Sequence, residues 1–103
     1  MIFLSISIWN LTLNNIKDGW VKIELELTSK DVIITIEDNA NGVPEEILHK
    51  IFDPYYTTKH QSQGTGLGLH MSKDIIENHL KGKLIVRNTT NGVKFFIRLP
   101  LNI

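Results

Sequence analysis

Between Val21 and Leu27 every second residue is apolar (Val21, Ile23, Leu25, Leu27), and Lys22, Glu24 and Glu26 stand between them. A period of two puts all the apolar groups on one side of a strand and scatters them around a helix, so this segment is a strand with one buried face. After Ser29-Lys30-Asp31 a second run, Val32 to Glu37, suits a more fully buried strand, and the two are expected to pair as a hairpin. The signal returns near the other end. Leu84, Ile85 and Val86 begin a strand, Asn91-Gly92 reads as a primed hairpin turn, and Val93, Phe95 and Ile97 alternate as far as Pro100.

Between these blocks the spacing becomes helical. Pro44 opens a short helix with Glu45 and Glu46 in its first turn, where the helix dipole favours acids, and with Ile47, Leu48 and Ile51 as its apolar face. Residues 52–66 form a long, polar, glycine-containing loop, a length that compact domains usually reserve for function. Leu67 to Leu80 is again helical, and Gly82 is expected to close it as a left-handed cap. The order β-β-α-loop-α-β-β implies an α+β fold: a two-layer α/β sandwich with helices on one face of a mostly antiparallel sheet.

A length of 103 residues allows one domain. Eleven basic side chains balance 11 acidic ones, which argues against nucleic acid held by phosphate neutralisation. The absence of cysteine excludes a disulfide framework, a thiolate zinc site and a cysteine nucleophile. Met1 to Trp9 is apolar but has no Lys or Arg ahead of the apolar stretch. Ser5 and Ser7 interrupt it, no small-residue cleavage pattern follows, and it is too short to span a bilayer. Ile2, Leu4, Ile6 and Ile8 alternate as a strand would. The expectation is a cytoplasmic, soluble chain with no membrane contact through this segment.

Gly64-Thr65-Gly66-Leu67-Gly68-Leu69 lies directly ahead of a helix. Glycines let the backbone approach an anion, and the first helical turn offers unpaired N–H groups and a positive dipole end, so phosphate is the natural ligand. The plainer alternative is a glycine-rich surface loop with close helix–sheet packing. No G-K-[ST] follows, so it is not a P-loop, and no strand runs straight into it, so it is not a dinucleotide fingerprint. Asp38, at the end of a buried strand, can accept a hydrogen bond from the amino group of a bound heterocycle, or can simply cap the following turn. The pairs Glu46/His49 and His70/Asp74 share helix faces but supply too few ligands for a metal, and Glu24 and Glu26 read as solvated strand residues. Trp9, Trp20 and Phe95 suit the core or a partner contact better than base stacking.

Three segments in order, D-N-A-N-G-V-P at 38–44, I-F-D-P-Y-Y-T-T-K at 51–59 and G-T-G-L-G-L at 64–69, resemble the first glycine box, the phenylalanine box and the second glycine box of the ATP-binding catalytic domain of bacterial sensor histidine kinases. That domain belongs to the GHKL superfamily (the Bergerat fold), with gyrase, Hsp90 and MutL-type ATPases. The resemblance covers about residues 19 to 101. It divides the chain into an N-terminal segment, 1–18, and an ATP-binding domain, 19–103.

The resemblance implies that Asp38 receives the exocyclic amino group of adenine over an apolar floor that includes Ile36, and that Gly42 keeps the backbone close to the base. Phe52 would anchor the lid, Tyr55 to Thr58 would begin it, and Lys59 would lie near the phosphates. Gly64, Thr65, Gly66, Leu67 and Gly68 would line the triphosphate. Two departures stand out: Ala40 and Asn41 occupy the middle of the first box, where the family commonly has D-x-G-x-G, and only His-Gln-Ser-Gln separates Lys59 from Gly64.

The family holds Mg²⁺ through an asparagine on a preceding helix. Asn10 to Asn15 faintly resembles that box and nominates Asn14, although Trp20 follows closely and residues 1–9 read as strand. The implied cofactors are ATP and Mg²⁺. In the full system the γ-phosphoryl would pass to a histidine on a separate dimerisation domain, absent here, and onward to a response regulator. Two alternatives stand beside this reading. One is a non-catalytic module of the same fold that associates with itself or a partner. The other is a serine-phosphorylating relative like the anti-sigma-factor kinases, which the T-T-K and G-T-G-L-G-L segments disfavour.

Overall fold

The structure is a computed structural model that describes residues 2–13, 16–56 and 67–101. Five strands, β1 (Ile2–Leu13), β2 (Ile16–Leu27), β3 (Asp31–Asp38), β4 (Lys83–Asn88) and β5 (Val93–Pro100), form one sheet in the order β1-β2-β3-β5-β4. Every neighbouring pair is antiparallel. The connection from β3 to β4 carries the helices: α1 (Glu45–Leu48) with a 3₁₀ turn, His49–Phe52, then α2 (Gly68–Asp74) with a π-helical turn, Ile75–His79. The two-layer α+β arrangement expected from the alternation is the one observed.

Register explains which residues form the core. Leu25, Ile34, Ile97 and Leu84 align across four strands, and so do Ile23, Ile36, Phe95 and Val86. Period-two geometry puts both rows on the same face. Among the described residues the buried hydrophobic ones are Ile76 of the π turn, Leu84 and Val93, 9%, 4% and 6% exposed, so the densest packing described lies over β4 and β5. Each such side chain contributes roughly 1.5–3 kcal/mol by leaving water.

The N-terminal segment is a strand, as its alternation indicates. Ile8 faces Val21 and Ile2 faces Leu27, with irregularities between Ile8 and Leu13. Asn10 to Leu13 belong to β1, so this stretch is not the helix that an asparagine box would need, and Asn14 lies outside the described residues. No helix among the described residues is long and apolar enough to cross a membrane.

Two expectations about glycine are corrected. Gly82 is not the left-handed cap, because Lys81 adopts that conformation at φ 59°. The helix ends in a widened turn: Leu80 N–H donates to the Ile75 carbonyl (2.9 Å) and Gly82 N–H to the Ile76 carbonyl (2.7 Å). Gly82 is there for close approach, since a Cβ on it would stand 2.1 Å from the Arg98 carbonyl oxygen in β5. Nor is Asn91-Gly92 a primed turn, which requires positive φ at both central residues. Neither residue has it, and a four-residue loop, Thr89–Gly92, joins β4 to β5 instead. Thr89 N–H donates to the Gly92 carbonyl (2.8 Å), and the Thr89 hydroxyl accepts from Gly92 N–H (3.0 Å).

Glu77 ties the helical layer to the sheet. Its Oε2 accepts from Leu84 N–H at 3.1 Å and lies 3.5 Å from Lys73 Nζ. The Leu84 N–H lowers its pKa most, Lys73 and Lys83 add to this, and partial burial opposes them. A carboxyl with a depressed folded pKa stabilises the fold above its unfolded pKa, near 4.5, and that contribution fades as pH falls through the lower folded value. Glu77→Gln is therefore expected to be less stable than the parent at pH 7. The difference between the two should shrink below about pH 4.5, as read by thermal melts across pH.

Candidate functional site

The helix-side face of β3 (Val32, Ile34, Ile36) ends in Asp38, by the same period of two. Asp38 Oδ1 accepts from Ala40 N–H at 3.0 Å, an Asx-type turn that starts the 39–44 loop. The second carboxylate oxygen makes no hydrogen bond among the described residues. Asp38 thus caps the turn with one oxygen, the plainer of the two roles expected of it, and leaves the other oxygen at the end of a half-buried strand.

The loop bends back through two consecutive left-handed residues, Asn41 (φ 74°) and Gly42 (φ 76°). Asparagine tolerates this conformation better than most residues, and Ala40, which stands where D-x-G-x-G has its middle glycine, is not left-handed, so the backbone there does not require glycine. Gly42 has a second reason to be glycine: a Cβ would lie 2.8 Å from Asn88 Oδ1 and 3.0 Å from the Gly92 carbonyl oxygen.

Asn88, at the end of β4, fixes the loop as a peptide would. Its Oδ1 accepts from Val43 N–H (2.9 Å), and its Nδ2 donates to the Val43 carbonyl and to Glu45 Oε1 (3.0 Å). Asn41 N–H donates to the Asn91 carbonyl at 2.9 Å. Asn39 fastens the other side, where its Oδ1 accepts from Trp20 N–H (2.8 Å) and its Nδ2 reaches the Asp18 carbonyl (3.3 Å). Gly92 presses so close that a Cβ would sit 1.9 Å from the Asp38 carbonyl oxygen. The loop is thus clamped between β2 and the β4–β5 connection, with Asp38 at its root.

Phe52 anchors the helical layer. Its ring meets Phe95 edge-on (centroids 6.4 Å apart, planes at 78°), and Lys73 Nζ lies 4.9 Å from its centroid. His70 Nδ1 stands 3.2 Å from the Phe52 carbonyl oxygen, a contact satisfied only by a protonated Nδ1. Beyond Phe52 the chain turns through Pro54 and Tyr55 (φ 66°), and Tyr56 N–H donates to the Asp53 carbonyl at 3.2 Å. Tyr55 is 73% exposed.

Leu67 caps α2, its carbonyl accepting from Met71 N–H at 2.9 Å, and Gly68 opens it. A Cβ on Gly68 would meet nothing within 4 Å, so packing among the described residues does not require glycine there. Thr57, Thr58, Lys59, Gly64, Thr65 and Gly66 lie outside the described residues. Among the described residues no group of three or more His, Asp or Glu side chains could hold a metal. The residues that sequence reasoning missed are Asn39, Asn88 and the second role of Gly92. An asparagine at a strand end carries no local pattern that would reveal a clamp 45 residues away.

With this geometry in view, the comparisons with known proteins agree on its class. The profile of the family described as histidine kinase-, DNA gyrase B- and HSP90-like ATPases matches residues 2–103, and the chain belongs to that family. The two-component sensor PprA of Pseudomonas aeruginosa is 37% identical over 83 residues, covering 81% of this chain and 8% of PprA. The sensor histidine kinase GlnK of Bacillus subtilis is 35% identical over 109 residues, covering 97% of this chain and 26% of GlnK. The chain therefore spans a minor part of these relatives' length. Among solved structures, the nucleotide-free catalytic domain of the histidine kinase ThkA superposes with a TM-score of 0.72 at 37% identity, covering 82% of this chain and 54% of that one. ThkA in complex with the response regulator TrrA gives 0.65 at 33% identity, over 80% and 22%. The chain is thus an ATPase domain of the histidine-kinase type.

Proposed function

We propose that residues 19–103 form the nucleotide-binding unit and take ATP with adenine at Asp38 and the phosphates at the start of α2. The observation that carries this reading is the Asp38 carboxylate: one oxygen fixed by Ala40 N–H, the other free to accept, at the root of a loop clamped on both sides. A carboxylate held this way accepts an exocyclic amino hydrogen without first losing side-chain freedom. Gly42 keeps the loop backbone low beside the base, and Phe52 holds the segment that leads into the lid.

Lys59, Gly64, Thr65, Gly66, Leu67 and Gly68 complete the site in this proposal. Lys59 supplies charge near the phosphates, and the glycines let backbone N–H groups approach them. Mg²⁺ would enter on the phosphate oxygens, taking one or two further ligands from protein, with Asn14 as the nominated side chain. When bound, the ion neutralises charge on the triphosphate. In the longer protein the γ-phosphoryl would pass to a histidine of a dimerisation domain and then to a response regulator, a transfer that depends on positioning and charge stabilisation. The likeness to ThkA, solved in complex with the response regulator TrrA, supports that kind of partner.

Calorimetric titration of the chain with ADP and with a non-hydrolysable ATP analogue, each with and without Mg²⁺, tests the reading. Millimolar or tighter one-to-one binding is expected, and Mg²⁺ dependence would implicate an ion ligand in the chain. Absence of heat in a protein shown to be folded would overturn it.

A further inference from the structure

The sheet face turned away from the helices carries its own pattern. The registers align three rows across β2, β3, β5 and β4: Lys22–Glu37–Lys94–Arg87, Glu24–Thr35–Phe96–Ile85 and Glu26–Ile33–Arg98–Lys83. The carboxylates Glu24, Glu26 and Glu37 stand on the β2–β3 half, and Lys83, Arg87, Lys94 and Arg98 on the β5–β4 half. Ile33, Phe96 and Ile85 cross the middle. A groove there has Ile33, Ile85 and Phe96 in its lining and Lys83, Arg87 and Arg98 around it. Arg87 and Lys94 lie over the Phe96 ring at 5.9 and 5.2 Å. Among the described residues neither Glu24 nor Glu26 has an ion-pair partner.

We propose that this face pairs with the same face of a second copy of the chain, about a two-fold axis running parallel to the strands between β3 and β5. Such an axis preserves position along each strand and exchanges the two sides of the sheet, so β2 lies over β4 of the second copy and β3 over its β5. Glu26 then meets Lys83 of the second copy, Glu37 meets Lys94, Thr35 meets Phe96, Ile33 meets Arg98, and Glu24 falls on Ile85 between Lys83 and Arg87 of the same strand; each contact occurs twice, as an isologous interface requires. Lys22 against Arg87 is the one like-charged match, and Glu37 already stands 3.8 Å from Lys22 within the chain. Two sheets stacked about 10 Å apart with strands within about 30° of each other are an established packing. The charge complementarity decides for a second copy over an unrelated partner, because the face supplies both halves of its own match.

The four strands offer 12 side chains to this contact. Specific interfaces typically use about 20–30 residues a side, so the dimer is weak and its charge pairs make it salt-sensitive. The nucleotide proposal concerns the opposite face, and neither depends on the other.

Sedimentation equilibrium of the whole chain over a range of concentrations tests the pairing. The mass should rise from 11.8 kDa toward twice that value at low salt, and fall back as ionic strength goes from roughly 0.05 to roughly 0.5 M. Glu26→Lys and Lys83→Glu should each weaken association at least about tenfold, because each sets like charges together twice. The chain carrying both changes should recover it, and so should an equimolar mixture of the two single variants. Circular dichroism confirms that each variant is folded. A parent chain that stays monomeric up to roughly 1 mM, single reversals without effect, or a double reversal that fails to restore pairing would each overturn the proposal.

Discussion

Asp38→Asn lowers the affinity for ADP by about tenfold to a hundredfold and leaves the melting temperature almost unchanged. The two parts of this expectation have different causes. In the fold, Asp38 needs only one acceptor oxygen, for Ala40 N–H at 3.0 Å, and an asparagine carbonyl supplies it. Toward the ligand, the change turns the free acceptor into an NH₂ group that faces the amino group of adenine. Losing a hydrogen bond to a charged group costs about 1.5–3 kcal/mol, which sets the fold-change. Calorimetry reads the affinity and differential scanning fluorimetry the stability. Equal affinities would place the base elsewhere, and a large drop in melting temperature would make Asp38 chiefly a turn cap.

Gly92→Ala acts in the opposite way, on the fold first and on the ligand through it. The new methyl group would stand 1.9 Å from the Asp38 carbonyl oxygen, 2.6 Å from its carbonyl carbon and 2.8 Å from Asn39 Cα. All three are backbone atoms, so no flexible side chain can give way, and the β4–β5 connection and the 38–44 loop must separate. Overpacking of this kind costs about 1–3 kcal/mol, which for a domain of this size lowers the melting temperature by roughly 5–20 °C. Nucleotide affinity falls with it, because the Asn41–Asn91 hydrogen bond and the Asn88 clamp on Val43 depend on the same contact. Gly68→Ala is the control. Its methyl group meets nothing within 4 Å among the described residues, so stability should hold or rise slightly, while phosphate affinity falls if the backbone there approaches the ligand.

Gly92 and Gly82 mark how much could be read in advance. The strands were legible because burial of one face imposes period two, and Val21–Leu27 and Val93–Ile97 carry it plainly. The N-terminal strand was legible for the same reason. Pro44 and the acids after it announced α1, and Asp38 announced its turn-capping bond to Ala40 by standing between an apolar run and a turn-rich segment. What could not be read was non-local. Gly92 looked like a turn residue, whereas its lack of a side chain serves a contact with Asp38, 54 positions earlier in the chain. Gly82 looked like a cap, whereas Arg98 in β5 requires it and Lys81 adopts the left-handed backbone. Asn88 has no signature at all, because its partners at Val43 and Glu45 are adjacent only after the sheet has formed.

An ADP titration followed by backbone amide NMR, residue by residue, tests most directly whether the nucleotide sits at Asp38. The largest shifts are expected at Asp38 to Val43 and at Leu67 to His70, with smaller ones at Asn88 to Gly92 and none on Glu24, Glu26 or Lys83 across the sheet. Shifts confined to that far face, or none at saturating ADP in a folded chain, would contradict that placement.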